Sequence, residues 1–164
     1  MKGEDIFCKL YEPWKNTGKV IFENDTAYSI LSVTPAVPGH AIIITKDHIA
    51  DMGEMGGNAL EEWVSAFACT FEAIQRTYDT DVGAMAAFYE SLKANPPAKD
   101  AGFLAGQVLK HPHLKVRPSG YNLGMNIGEA AGQTIPHLHI HLFPRRERGE
   151  GIVTAMREFL AKQK

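Results

Sequence analysis

The chain has 164 residues, 45% of them hydrophobic and 22% charged, enough for one domain with a sizeable core. A net charge of −2 offers no general surface for nucleic acid or anionic membrane, and no run is apolar and long enough to span a bilayer. Two cysteines, Cys8 and Cys69, argue against a disulfide framework; with no signal-peptide core after Met1-Lys2-Gly3-Glu4-Asp5, a cytoplasmic location is expected.

In chain order, Lys19–Phe22 and Ala27–Leu31 read as short strands around the turn signal Glu23-Asn24-Asp25. Pro35 and Pro38-Gly39 break the chain, and His40–Thr45 is a third strand rich in β-branched residues. The clearest helix follows, with Asn58 as its expected cap and Glu61 three residues on. Leu60, Trp63, Val64, Phe67, Phe71, Ile74 and Tyr78 recur along it at helical spacing and read as core. Asp81–Asn95 is a candidate second helix ended by Pro96-Pro97, and Asp100–Lys110 a shorter one. Tyr121–Ile127 reads as a fourth strand and Gly128–Gly132 as a loop. The fifth strand is His137-Leu138-His139-Ile140-His141-Leu142, and Ile152–Lys164 is a final helix with Ile152, Met156, Phe159 and Leu160 inward. The Gly-rich link between the last two strands favours an antiparallel pair, hence an α+β fold on a mainly antiparallel sheet.

Strict alternation in the fifth strand puts the three imidazoles on one face and Leu138, Ile140 and Leu142 on the other. The apolar face can pack on a core. Three groups titrating near neutrality suit a phosphate, a metal or a proton relay.

The segment Asn126-Ile127-Gly128-Glu129-Ala130-Ala131-Gly132-Gln133-Thr134-Ile135-Pro136-His137-Leu138-His139-Ile140-His141-Leu142-Phe143-Pro144-Arg145 closely resembles the signature of the histidine triad (HIT) family. The likeness extends upstream through Ile6-Phe7-Cys8-Lys9-Leu10, the first two strands and Pro35–Ile49, about three quarters of the chain. It implies one HIT domain over residues 1–164, with five antiparallel strands and one main helix. A helical insertion at about 79–119 and the C-terminal helix are added to that plan. It also implies a homodimer, and nucleotidyl transfer or hydrolysis at the α-phosphate of a nucleotide conjugate without a cofactor. Dinucleoside polyphosphates and nucleoside phosphoramidates are the expected substrate class.

By the same resemblance His139 is the nucleophile, flanked by His137 and His141, which position it and the phosphate oxygens. A neutral imidazole can attack phosphorus and carry the nucleotidyl group, splitting one displacement into two. Asn126, Gln133 and Thr134 match positions that donate to the phosphate or leaving group, and His40 a further histidine near the site. Ile6, Phe7, Leu10, Ile30 and Val33 match walls of the base pocket, though core packing explains them equally well. Ser32 stands where many relatives carry Asp or Asn to grip the ribose, a contact one hydroxyl cannot reproduce.

Many bacterial relatives carry Cys-x-x-Cys near the N-terminus as part of a structural zinc site; here Asp5 takes the first place and Cys8 the second. Asp5, Cys8, His48 and another histidine remain a candidate set, against Cys8 as a small buried hydrophobe. Two other readings stay open: a nucleotide-binding or scaffold module with little turnover, and a metal-binding protein using the three triad imidazoles together. No carboxylate or cysteine is evidently placed in the sequence to join those rings.

Overall fold

A computed structural model describes residues 5–149 and 151–162. Helix α1 (Ile6–Asn16) starts at Asp5, whose Oδ1 accepts from the amides of Phe7 and Cys8 at 2.7 and 3.0 Å, a side-chain N-cap. The chain then runs through β1 (Val20–Glu23), β2 (Ala27–Leu31) and β3 (Ala41–Thr45). Helices α2 (Gly57–Thr80), α3 (Val82–Ala94) and α4 (Ala101–Leu109) follow, then β4 (Gly120–Gly124), β5 (His139–Arg145) and α5 (Ile152–Ala161). None of these helices is long and apolar enough to cross a membrane.

The five strands form one antiparallel sheet in the order β1-β2-β3-β5-β4. β2 and β3, in its middle, are buried at every position, which their β-branched and aromatic content suits. Neighbouring residues of β2 show the two covered faces. The Tyr28 hydroxyl donates to the carbonyl of Phe7 in α1 at 2.7 Å, and next to it Ser29 accepts from Thr70 of α2 at 2.8 Å. The sheet is therefore sandwiched between α1 and α2. Leu138, Ile140 and Leu142 fill the α2 side, and the histidines between them face α1.

Helices α3 and α4 pack on each other, and α3 ties two distant places together. Phe88 meets Trp14 of α1 edge to face, and the buried Tyr89 hydroxyl accepts from the amide of Gly39 at 2.9 Å. Asp81 caps α3 by accepting from the Ala84 amide.

The strands, the helices after β3 and the antiparallel β4–β5 pair follow the sequence reading, with five differences. Val64 and Phe71, expected in the core stripe of α2, are 52% and 39% exposed. α1 is a full helix, where the sequence showed only a family-like segment. α2 begins after Gly56, so Asn58 lies within it and is not its cap. β4 stops at Gly124, short of Ile127. β5 begins at His139: His137 sits in the turn before it, where its amide donates to Ile135 O at 2.8 Å. The expected inward side chains Met156, Phe159 and Leu160 lie outside what is described.

Candidate active site

The site is built where the middle of β5 faces α1. The register sets Ile42 of β3 opposite His141 and Ile44 opposite His139. Phe7 covers the site from above, its ring 4.9 Å from that of His139. A pocket of about 210 Å³ opens here, lined by Ile6 and Phe7 of α1, Ser32, Val33 and Thr34 after β2, and Ile42 of β3. Asn126, Gly132, Thr134, Ile135, His139 and His141 close the other side, with Ala98 from the α3–α4 connection.

Hydrogen-bond partners fix the tautomer of each imidazole. His139 Nδ1 lies 2.7 Å from the carbonyl of His137, an acceptor with no proton to give, so Nδ1 is the protonated nitrogen. The lone pair is left on Nε2, which has no protein partner among the described residues. The Ala36 amide donates to His40 Nδ1 at 3.2 Å, so the proton of His40 sits on Nε2 and points at His141 Nδ1, 3.0 Å away. His141 then carries its own proton on Nε2. The pocket thus holds one nucleophilic nitrogen and one N–H donor on adjacent same-face positions of β5.

Burial keeps these rings neutral. It lowers the pKa of His139 below the ordinary 6.5, with the His137 carbonyl acting partly against it. It lowers His141 to about 4, helped by neighbouring His139, and His40 to about 3, helped by His141 and Arg145.

Comparison with known proteins places the chain in a family. The HIT domain family profile matches residues 14–148. The chain belongs to the HIT family. It is 25% identical to the adenosine 5'-monophosphoramidase of Saccharomyces cerevisiae over 90% of its length and 66% of that protein. It is 26% identical to an adenylylsulfatase of Arabidopsis thaliana over 90% of its length and 55% of that protein. The crystal structure of a HIT family protein from Bacillus subtilis superposes with a TM-score of 0.57 over 99% of this chain and 98% of that one, at 19% identity, a likeness of fold.

Against that family frame, the expected residues divide. His139, His141, Asn126, Thr134, Ser32, Ile6 and Phe7 line the pocket. His40 is 3% exposed and stands behind the pocket, holding His141. Gln133 does not line it; its amide braces the loop, donating to Ala50 O at 3.0 Å and accepting from the Gly128 amide at 2.8 Å. Ile30 is wholly buried in the core, and the apolar wall is Ile42 of the next strand. Ile42 was findable once β3 was set beside β5, because it alternates with Ile44. Nothing in the sequence pointed to Ala98.

His137 turns away from the pocket. Its Nε2 donates to Thr45 O at 2.7 Å, so Nδ1 faces Asp5 Oδ2 at 3.0 Å and Cys8 Sγ at 3.6 Å. Of the two roles expected of it, positioning His139 falls to its backbone carbonyl, and its ring does not line the pocket that would hold the phosphate. His48 Nδ1 completes the group, 2.8 Å from Asp5 Oδ2 and 3.6 Å from Cys8 Sγ. All four donor atoms lie within 4.8 Å of one another. The three triad imidazoles therefore do not share a centre, and a carboxylate and a thiol do join one of them. One carboxylate, one thiol and two imidazoles at these separations are a donor set that fits a four-coordinate zinc ion. Asp5, Cys8, His48 and His137 would hold it, and its effect there would be structural, tying α1 to the turn before β5. Burial and the neighbouring Asp5 carboxylate raise the Cys8 pKa, so a metal would have to displace the thiol proton.

Proposed function

We propose that this chain hydrolyses nucleotide conjugates at the α-phosphate through a nucleotidyl-histidine intermediate. The observation that carries the reading is the hydrogen bond from His139 Nδ1 to the His137 carbonyl, which directs the Nε2 lone pair to the pocket. In the first step His139 Nε2 attacks phosphorus. The bond from phosphorus to the leaving group breaks while His141 Nε2–H donates a hydrogen bond to the leaving atom, which takes its proton from water. Water then attacks the phosphorus, the bond from phosphorus to His139 Nε2 breaks, the water's proton passes to solvent, and the nucleoside monophosphate leaves. Asn126 and Thr134 stand as donors to the phosphate oxygens, in keeping with a reaction that depends on positioning and charge stabilisation. The phosphoramidase and sulfatase activities in the names of two relatives support a phosphorus–nitrogen or phosphorus–sulfate substrate.

The test is product release from adenosine phosphoramidate, adenylyl sulfate and diadenosine polyphosphates, with His139→Ala beside the wild type. The expected outcome is adenosine monophosphate from at least one substrate, and a loss of about 10³-fold or more in the variant with its circular dichroism unchanged. Undiminished turnover by His139→Ala would remove the nucleophile. Nucleotide binding without turnover by the wild type would leave a binding module.

We also infer a homodimer. Val64 and Phe71 form one exposed stripe on α2, and Phe71 meets Tyr121 of the edge strand β4 at 4.6 Å between rings. Leu123, on the same face of β4, extends this apolar patch beside an unpaired strand edge.

A further inference from the structure

A second cavity is larger than the triad pocket. It is a groove of about 660 Å³ between the edge strand β1 and helices α2 and α3. Its walls are apolar: Ile21, Leu31, Ile74, Met85 and Phe88. The groove opens to solvent, and its size is that of small-molecule sites. It follows α3 from Ala84 to Ser91, about 10 Å of helix, and so has the length for a medium hydrocarbon chain.

The charges at the groove have one sign. Lys19 and Arg76 line it, and no carboxylate does. Lys19 Nζ sits 5.3 Å over the Trp14 ring, and neither cation has an ion-pair partner among the described residues. Three nearby acids are engaged elsewhere: Asp79 with Arg117, Asp81 as the cap of α3, Glu23 with Lys15. The groove hydroxyls of Thr77, Thr80 and Ser91 give their protons to the backbone carbonyls of Ala73, Arg76 and Phe88.

We propose that this groove binds a free single-chain anionic amphiphile, a medium-chain carboxylate, with its tail along Ile74, Met85 and Phe88 and its head between Lys19 and Arg76. The site shares no lining residue with the triad pocket, and its test needs no nucleotide turnover, so it stands or falls apart from the hydrolase reading.

The experiment is calorimetric titration of the full chain with decanoate below its micelle concentration. Decyltrimethylammonium and phosphatidylglycerol vesicles run alongside. The expected result is saturable one-to-one decanoate binding, with the cationic amphiphile weaker by about tenfold or more, a gap of about 1.4 kcal/mol. The double variant Lys19→Glu with Arg76→Glu should weaken decanoate by at least about as much. Ala87→Trp, an exposed α3 position on the groove, should abolish binding at unchanged thermal stability; if it unfolds, Thr77→Phe on the opposite wall replaces it. No saturation, equal binding of both amphiphiles, undiminished binding in the blocked variant, or binding to vesicles alone would each overturn the proposal.

Discussion

His40 and His141 form a hydrogen-bonded pair that can share one proton but not accept a second without breaking. Both are held neutral by burial, at about 3 and about 4 against 6.5 for a free imidazole. The sign follows. Below pH 6.5 the unfolded chain takes up protons that the folded pair refuses, so stability falls as the pH drops from 6.5 toward the folded values. Each ring contributes a slope of up to about 1.4 kcal/mol per pH unit in that window. Urea midpoints should fall between pH 6.5 and 5, above the range where carboxylates titrate, and a flat profile would show that the pair is not buried neutral. This pair also marks a limit of the sequence. The alternation of β5 made the shared face of His139 and His141 legible. The proton placement depends on the amide of Ala36 and the carbonyl of His137, and no residue pattern encodes those.

Among the elements, α1 and α3 hold the site from outside the sheet. Asp5 does two things at once, capping α1 with Oδ1 and facing His48 and His137 with Oδ2. Burial opposes its ionisation, but hydrogen bonds from Cys8 and His137 outweigh that and keep its pKa below the usual value. Asp5→Ala removes both roles and should cost about 1 kcal/mol from the cap alone. Cys8→Ala keeps the cap and removes one donor of the cluster. If the cluster holds zinc, elemental analysis of untagged protein finds about one ion per chain, chelation lowers the melting temperature, and Cys8→Ala reproduces that loss. If chelation changes nothing, Asp5→Ala is destabilising through the cap and Cys8→Ala is nearly silent. On the other side, Tyr89→Phe leaves the buried Gly39 amide without its acceptor, beside His40. It should destabilise by about 1–3 kcal/mol, read from the urea midpoint, and a change under about 0.5 kcal/mol would mean that water replaces the hydroxyl. α1 was missed in the sequence because Pro13 interrupts its pattern, although Phe7, Tyr11 and Trp14 all pack into the core. The Asp5 cluster was only half legible: its members lie at positions 5, 8, 48 and 137, and the histidine that completes it came from the triad itself.

At the scale of the molecule, the two sheet edges differ in what covers them. β1 borders the groove between α2 and α3, whereas β4 pairs with no further strand among the described residues and lies beside the exposed stripe of α2. A lone edge strand with Tyr121 and Leu123 on one face and Phe71 and Val64 next to it is a surface that invites a second strand. Pairing two β4 edges about a two-fold axis would continue the antiparallel sheet across both subunits and cover both stripes, an interface that closes on itself. The expected solution mass is therefore that of two chains. Leu123→Lys places a charge at the middle of the patch without touching the triad pocket, and Leu123 is about half exposed, so the isolated fold should tolerate it. Light scattering should then show one chain per particle at micromolar concentration, with little change in circular dichroism. A dimer that survives this change would place the interface elsewhere, and a wild type that is monomeric at all concentrations would leave the β4 edge to another partner.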